Sequence, residues 1–464
     1  MKKIKQNIKT VLVLAGLIIL GGCSTDDLDP TLAQKKSVEG SINSVNNLYG
    51  LIKGAHNVLT AAGYYGRDAI ATNEVRSDNC FSNGNSGRFS TQAEFKYNNT
   101  TDFIWNNAYY LIANVNIIIN TDLGTLSGDH NKGKHIQGQA LILRALGHYD
   151  LLRTFGQQHA ATSGNLGVPI VKQFKGEEFP ARNTITEVKN AIYEDLENAF
   201  AMMDKDFDTS KVFVSKYSAK ALESRVAIYF GDWERARDAA KEVIDNGGYT
   251  IVPGASFVSS WTTKENTNSI FELAFASDDA LSSNSLQYIY RFPSDAPAGY
   301  GDVEVESSVI NIFEATDVRR GILGYQDAGT RLRNMGKYPD TATGTDNIPL
   351  IRYEEVVLNY AEALFELNNA DPMALTNLNL ITSNRGASAY ATATKDNILL
   401  ERRKELMFEG FRFDDMMRTG KDVVVLGSNQ NVIETLTYPN DKFVYPIDIA
   451  EMDANSNMVQ NAGY

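Results

Sequence analysis

The sequence predicts a mainly α-helical fold, a tetratricopeptide-like superhelix of helical repeats with long irregular loops and a few short strands. The most regular part of the chain is 215–249, where two helical segments of similar length are joined by Gly231 and Asp232. A helix pair that recurs at about 34 residues is typical of tetratricopeptide units. The segment 353–381 repeats this pattern with a looser turn, so we expect three or four helix pairs. With 43% hydrophobic residues, a chain of 464 residues can bury a large core.

The first 22 residues have the pattern of a secretory signal. Four lysines and no acid precede a short apolar run at 11–20, which is the order of a signal's n-region and h-region. A membrane-spanning helix needs about 20 apolar residues, so spanning is the weaker interpretation. The boundary Leu20-Gly21-Gly22-Cys23 resembles the bacterial lipobox rather than an ordinary cleavage site.

The lipobox predicts a lipid anchor. We expect 1–22 to be removed, Cys23 to carry acyl chains, and 23–40 to form a polar tether. Several acyl chains together anchor a protein stably in a bilayer. The acidic stretch 24–27 resembles the export signal of surface lipoproteins of the Bacteroidetes type. The expected location is therefore the outer membrane, with the chain exposed on the cell surface.

Charge and cysteine content exclude several classes of function. Removal of 1–22 lowers Lys+Arg from 44 to 40 against 57 acids, a net charge near −17. No long basic block remains, so nucleic acid is not an expected partner. Once Cys23 carries lipid, Cys80 is alone, and neither an intramolecular disulfide nor a cysteine-rich metal site can form.

Apolar residues at three- and four-residue steps predict further amphipathic helices along the chain. One of them opens with Thr184 and Glu187, the spacing of a capping box. The stretch 63–102 is rich in Gly, Asn and Ser and is too long for a plain connector, so we expect a functional loop there. The predicted helices that precede the 215–249 pair are 41–60, 103–124, 135–156 and 184–203.

Between residues 250 and 345 the sequence lacks the three- and four-residue spacing of apolar residues that predicts helices. The segment 269–275 alternates like a strand, and 285–302 is an aromatic loop that contains Gly and Pro. A charged helix follows at 397–420 and is expected to stop at Gly410 or Gly420. Its arginines can pair with nearby acids, so we interpret this segment as a structural ion-pair helix.

Catalytic motifs are absent from the sequence. It contains no nucleophile elbow, zincin motif, phosphate-binding loop or dinucleotide fingerprint. His130 and His135 are five residues apart and do not suit one metal ion, and His148 is expected to be packed within a helix. We therefore expect no catalytic residue, no metal and no cofactor. The three tryptophans are expected in the core: Trp105, Trp233 and Trp261.

Two aromatic loops are the candidate ligand-binding surface. Sugar rings stack on exposed aromatic faces, and their hydroxyls need planar amide, carboxylate or guanidinium partners. Loop packing or a contact with a transporter is the alternative role for each aromatic residue, and neither loop contains Trp. In the second loop Tyr288 and Tyr290 alternate, which predicts that at most one face of a strand points outward. The candidate residues are Asp78, Phe81, Asn83, Arg88, Phe89 and Tyr97 in the first loop, and Tyr288, Tyr290, Tyr300 and Arg291 in the second.

Several motifs in this order resemble the SusD/RagB family of outer-membrane nutrient-binding lipoproteins, over nearly the whole chain. They are "LDP" after the lipobox, "ALILRALGHYDLLRTFG", "GVPIV", "AKALESRVAIYFGDWERARDAAKEVI", "IPLIRYEEVVLNYAEAL", "ERRKELMFEGFRFDDMMRTG" and the ending "YPI" to "QNAGY".

The resemblance implies a tetratricopeptide-like scaffold that covers a SusC-like TonB-dependent transporter as a lid. It implies one domain at 41–464, with an N-terminal part at about 41–230 and a C-terminal part at about 265–464. The expected function is non-catalytic binding of extracellular glycan and its delivery to the transporter. A peptide-binding protein of the RagB type is the first alternative, and a scaffold that binds only protein is the second.

Overall fold

The computed structural model describes residues 42–100, 103–162, 164–173, 179–291, 299–326, 330–427 and 431–464. The predicted signal peptide 1–22, the lipidated Cys23 and the tether lie outside the described residues and stay predictions.

The long helices of the N-terminal half form where the apolar pattern predicts them, and two short helices, at 68–75 and 90–93, are added. Thr184 accepts from the backbone N–H of Glu187 at 3.2 Å, and Glu187 accepts from that of Thr184 at 2.8 Å, so the predicted capping box is present. Gly231 adopts φ 73° and ends the first helix of the predicted pair. The helices are α1 (Val45–Leu59), α2 (Asp68–Val75), α3 (Ser90–Ala93), α4 (Trp105–Ile119), α5 (His130–Phe155), α6 (Ile185–Met202), α7 (Lys216–Phe230) and α8 (Trp233–Asn246).

The C-terminal half adds shorter helices and the strands. The helices are α9 (Leu286–Tyr290), α10 (Tyr353–Leu367), α11 (Pro372–Asn384), α12 (Lys395–Glu405), α13 (Arg412–Arg418) and α14 (Ile449–Ala454). The strands are β1 (Cys80–Ser82), β2 (Ser269–Leu273), β3 (Val303–Val305), β4 (Leu323–Gln326), β5 (Arg331–Asn334) and β6 (Ile348–Arg352).

The long helices pack on one another in sequence. Helix α4 lies against α5, α5 against α6, α6 against α7, and α7 against α8. Helix α8 then packs on α10, and α10 on α11, although about 100 residues, with α9 and the strands β2 to β6 among them, separate α8 from α10 in the sequence. This stepwise stacking confirms the predicted tetratricopeptide-like, mainly helical scaffold.

Two small antiparallel sheets lie beside the helices. The first has the order β1-β3-β5-β4, and the second pairs β2 with β6. The strand predicted at 269–275 is confirmed over Ser269–Leu273, and all five of its residues are buried. The first sheet matters most for function, because it joins residue 80 to residue 305 across a long stretch of chain.

Three expectations need correction. The stretch 63–102, expected to be a functional loop, also holds α2, β1 and α3. The buried face of α2 includes the polar residues Asn73 and Glu74, which hides the helical pattern. The aromatic segment 285–302 contains the short helix α9. The charged helix ends at Glu405, earlier than expected, because the chain turns to positive φ at Phe408 (68°).

The charged segment is a buried ion-pair network, as its pattern predicts. Glu405 accepts from Arg385 at 3.0 Å and from Arg352 and Arg319 at 3.2 Å, and all four side chains are almost fully buried. Burial alone would raise the pKa of Glu405, but the charges of Arg385 and Arg352 hold it well below its usual range. Such a network fixes the C-terminal segment to the scaffold, since removing one partner leaves buried charge uncompensated.

None of the helices in the described part of the chain combines the length and the apolarity needed to cross a bilayer. Across the same residues, no group of three or more His, Cys, Asp or Glu side chains is arranged to hold a metal ion.

Candidate functional site

The two predicted loops meet at one end of the first sheet. Strand β1 pairs with β3 so that Cys80 faces Val305 and Ser82 faces Val303. The pairing continues beyond the strands, where the backbone N–H of Asn83 donates to the carbonyl of Asp302 at 3.0 Å. Segments 83–88 and 299–302 therefore emerge side by side, which the sequence alone does not require.

Tyr288, Tyr300 and Arg88 form a cluster at this meeting point. The two rings stand edge to face with centroids 5.0 Å apart, and the Arg88 guanidinium lies 4.9 Å from the Tyr300 centroid. Arg88 is held in place because it donates to the carbonyl of Ser283 at 3.0 Å and to Asn284 Oδ1 at 3.2 Å. Tyr300 keeps 39% of its surface exposed, so an aromatic surface remains open to solvent.

Gly299 allows the chain to approach α9 closely enough to place Tyr300. A Cβ atom at this position would lie 2.4 Å from the carbonyl oxygen of Tyr288 and 2.5 Å from that of Arg291. The next residue then donates its backbone N–H to Tyr288 at 2.8 Å. The side chain of Asn85 ties the same segment from the other side, donating to the carbonyl of Tyr300 at 2.6 Å.

A polar groove of about 660 Å³ runs beside this cluster. Asn83 lies between the two, since its Nδ2 donates to Gly301 O and to Glu304 Oε1, each at 2.7 Å. Amide and carboxylate groups of this kind can pair with hydroxyl donors and acceptors of a ligand. The groove is lined by Phe81, Ser82, Asn83, Gly84, Asn85, Ser90, Glu94, Glu304, Thr330, Arg331 and Asn431.

Several aromatic residues of the candidate set do not expose their rings. Phe81 and Phe89 are only 6% and 7% exposed, and Tyr290 is fully buried with its ring 5.4 Å from that of Phe408. The expectation of open aromatic faces is therefore wrong for these three residues. Tyr288 and Tyr290 would share a face on a strand, but they lie on helix α9. Residues two positions apart on a helix point about 200° apart, so Tyr290 points into the core while Tyr288 does not. Tyr288 stays half-buried and faces the cluster.

Tyr97 and Asp78 lie beneath the loops rather than on the surface of the site. Tyr97 stacks on Tyr445 with centroids 4.1 Å apart. Asp78 Oδ1 accepts from Arg412 Nε and its Oδ2 from Arg412 Nη2, and Arg403 Nη1 is 3.2 Å from the same Oδ2. Burial would raise the pKa of Asp78, but the hydrogen bonds and charge of Arg412 outweigh this and lower it. Its place in ligand binding stays a prediction, while its structural role is visible.

Sequence reasoning missed part of the polar lining. Asn431 pairs with the edge of β1, accepting from Ser82 N–H and donating to Ser82 O, each at 2.9 Å. No local signal identifies this residue, because its partner is 349 positions away. Asn85 was within the first loop and could have been included on its residue type alone. Arg291 points elsewhere, toward the carbonyl of Met335.

A larger depression of about 730 Å³ lies on the outer surface of α6, α7 and α8. Its charged groups pair with one another, for example Lys189 with Asp232 and Lys220 with Glu223. Lys395 covers the ring of Trp233 at 4.9 Å. We favour the smaller groove at the two loops, because it adjoins the exposed side chain of Tyr300.

The fold and the site define a class of protein: a helical-repeat scaffold that presents an aromatic and amide-rich surface on loops outside the repeats. Residues 322–464 match the SusD family, and residues 27–228 match the family described as "Starch-binding associating with outer membrane". The chain belongs to the SusD/RagB family, as its motifs predict.

Individual relatives agree with this assignment. SusD-like protein P2 of Formosa agariphila is 25% identical, with 100% of both chains covered. The starch-binding protein SusD of Bacteroides thetaiotaomicron is 30% identical over 134 residues, 27% of this chain and 22% of that protein. Among solved structures, a SusD superfamily protein from Bacteroides vulgatus superposes with a TM-score of 0.83 at 28% identity, covering 91% of this chain and 100% of the other. A SusD superfamily protein from Bacteroides thetaiotaomicron gives 0.83 at 25% identity, covering 90% and 99%.

Proposed function

We propose that this protein is a non-catalytic surface lipoprotein that binds extracellular glycan and delivers it to a SusC-like TonB-dependent transporter. The observation that carries the proposal is the junction of the two loops, where the exposed ring of Tyr300 adjoins a groove lined by Asn83 and Asn85. A relative named for starch binding and a matching family described as starch-binding support the same cargo class.

The chemistry of the junction suits a carbohydrate. The ring of Tyr300 offers an apolar face for C–H groups of a sugar, and Tyr288 holds that ring from one side. The groove next to it supplies amide and carboxylate groups for hydroxyls. The β1–β3 pairing holds the aromatic cluster and the groove next to each other. The binding surface is therefore preorganised and does not need to be assembled by the ligand.

Glycan binding is tested by titrating the protein with a panel of oligosaccharides and, in parallel, a panel of peptides. Tyr300→Ala should weaken binding of the best oligosaccharide at least about tenfold, because the exposed stacking surface is lost. Tyr110→Ala is the matched control, since Tyr110 is 62% exposed on α4 and takes no part in the junction. Equal affinity of the two variants would contradict the assignment of the site.

Peptide binding is the alternative cargo. A chain with a net charge near −17 after signal removal would attract basic peptides rather than acidic ones. Saturable binding of basic peptides, with no oligosaccharide bound, would replace the glycan proposal by this one. If Tyr300→Ala then weakened peptide binding, the site would stand and only the cargo would change.

Location and partner need separate experiments. Cys23→Ala should move the protein from the membrane fraction to the soluble fraction, because the predicted acyl chains can no longer be attached. Co-purification with a co-expressed SusC-like TonB-dependent transporter, in mild detergent, tests the proposed partner. Failure of both proteins to appear together under those conditions would count against delivery to that transporter.

A further inference from the structure

A partly open cavity of about 270 Å³ lies between α1, α5 and the segment that leads into α7, within the described residues. The surface site at the two loops does not include any of its residues. Tyr49 and Phe213 form one wall, with ring centroids 5.9 Å apart, and Phe207 lies 5.7 Å from His135 on another. The remaining lining comes from Lys132, Ile136, Gln139, Asp206, Asp208, Thr209, Ser210 and Val214.

His135 is the polar group that this cavity leaves without a normal hydrogen bond. It is 3% exposed, and neither of its ring nitrogens completes a hydrogen bond with the described residues. The polar groups that face the ring are the Asp208 carboxylate, with Oδ1 3.5 Å from Nε2, and the backbone at Asp204. Buried polar groups are almost always paired, and the contacts with Asp208 and Asp204 fall short of a full hydrogen bond, so the imidazole has capacity for one more polar partner from the cavity.

The other buried histidine of this region shows the contrast. His56 lies on α1 close to Phe213, with ring centroids 4.9 Å apart. Its Nδ1 contacts the carbonyl of Ile52 at 2.8 Å, and its Nε2 accepts from the backbone N–H of Val214 at 3.1 Å. Both nitrogens of His56 are therefore satisfied by the fold, while the ring of His135 makes only the weaker contacts with Asp208 and the backbone of Asp204.

Size and charge limit the class of ligand. An apolar cavity of about 150 Å³ holds one benzene molecule, so a cavity of about 270 Å³ has room for a substituted or bicyclic ring. Its charged groups are of both signs, Asp206 and Asp208 against Lys132, and do not select an ion of either sign. Burial lowers the pKa of His135, which keeps the imidazole neutral at pH 7, able to donate from one nitrogen and accept at the other.

We propose that this cavity binds a small neutral aromatic molecule that carries one hydroxyl or N–H group, a phenol or an indole, with His135 as its hydrogen-bond partner. The ring packs against Tyr49, Phe207 and Phe213, and the polar group reaches the imidazole. The site is separate from the glycan surface, so it gives the protein a second ligand class.

The test uses the full-length lipoprotein in lipid nanodiscs, with 4-fluorophenol and fluorobenzene followed by fluorine NMR and empty nanodiscs as the blank. We expect both probes to bind, 4-fluorophenol about tenfold more tightly, because one buried hydrogen bond distinguishes them. His135→Phe keeps an aromatic side chain and should abolish this preference while fluorobenzene still binds. His130→Phe, on the same helix but outside the cavity lining, should behave like the wild type.

A second measurement needs no substitution. Phenol and toluene have similar size, so phenol should displace fluorobenzene from the wild-type protein at about one tenth of the toluene concentration. Absence of binding by both fluorinated probes would overturn the proposal, and so would equal displacement by phenol and toluene. Retention of the phenol preference in a folded His135→Phe protein would overturn the role of His135.

Discussion

The carboxylate of Asp78 and the guanidinium of Arg412 form a two-point pair, with distances of 2.6 and 2.7 Å, between residues 334 positions apart. The pair fastens the chain just before β1 to α13, beneath the candidate ligand surface. This is a bidentate arginine–carboxylate contact, which fixes the relative orientation of the two side chains in addition to stabilising them. The position of the first loop thus depends on the charged C-terminal segment.

Asp78→Asn should destabilise the protein by about 2–4 kcal/mol, because two guanidinium groups, those of Arg412 and Arg403, lose their shared carboxylate in a largely buried setting. Urea denaturation of both proteins measures this difference. The side chain of Asp78 is 20% exposed, which places the expected loss below that of a fully buried pair.

Asp238→Asn is the matched control for that change. Asp238 also accepts from an arginine, Arg237, but its side chain is 66% exposed on α8. Solvent screens such pairs, and the loss should stay below about 1 kcal/mol. Equal losses at the two positions would show that Asp78 is not a structural anchor.

Glu405→Gln should lower the free energy of unfolding by about 3–5 kcal/mol, more than Asp78→Asn or Asp238→Asn. The reason is that the buried guanidinium groups of Arg385, Arg352 and Arg319 lose the carboxylate they share. The measurement is again the free energy of unfolding in urea. Glu194→Gln removes a carboxylate from the exposed pair with Lys172 and should change stability by less than about 1 kcal/mol. A small effect at Glu405 would mean that water or a neighbouring acid compensates the lost charge.

The parts of the fold that follow from local rules could be predicted from the sequence. The pair α7–α8 needs only an apolar face on each helix and a left-handed turn at Gly231, and α6 needs the capping box at Thr184. Both features depend on residues within a few positions of each other. The composition of the two loops predicts that each can bind a ligand, but not that they meet, because the β1–β3 pairing that brings them together is a long-range contact with a three-residue register.

Features that depend on distant partners could not be predicted. Helix α2 has no apolar stripe, because Glu74 is buried to accept from the backbone N–H of Gly410 at 3.0 Å, a partner far along the chain. Tyr290 looks like a surface aromatic in a Gly- and Pro-bearing segment, yet it packs against Phe408. Which aromatic residues stay exposed is decided by such contacts, and one sequence does not reveal them.

Gly299→Ala should weaken glycan binding more than it weakens the fold. Its Cβ would lie 2.4 Å from the Tyr288 carbonyl, closer than real contacts allow, so the segment that carries Tyr300 must shift. We expect at least about a tenfold loss of affinity with a change in stability of about 1–2 kcal/mol, since the strain is local. Titration calorimetry and urea denaturation measure the two quantities.

Gly50→Ala is the control for Gly299. Gly50 lies in α1, and a Cβ there meets no atom within 4 Å. Alanine favours a helix interior over glycine by about 1 kcal/mol, so this variant should be slightly more stable and should bind glycan as the wild type does. An unchanged affinity in Gly299→Ala would show that the segment around Tyr300 adjusts without loss of the site.

His148 should make the protein less stable as the pH falls from 7 to 5. Its Nδ1 lies 3.1 Å from the carbonyl of Arg144, and its Nε2 accepts from the backbone N–H of Val171 at 3.2 Å, which requires a neutral ring. Burial lowers the pKa of His148 to about 3 in the folded chain, well under its ordinary value of 6.5. Below pH 6.5 the unfolded chain therefore binds a proton that the folded chain excludes, and the contribution of His148 to stability is lost as the pH falls toward 3.

The difference in unfolding free energy between the wild type and His148→Gln isolates this group, because other titrating residues contribute equally to both proteins. Between pH 7 and pH 5 the wild type should lose about 2 kcal/mol of stability relative to His148→Gln. This size follows because pH 5 lies about 1.5 units below the ordinary pKa of histidine, at which the unfolded chain takes up its proton. Ile142→Val, a buried and non-titrating change on the same helix, should show a constant difference from the wild type over this range. A constant difference for His148→Gln as well would mean that the imidazole gains its proton within the folded protein, and that the Val171 contact yields to it.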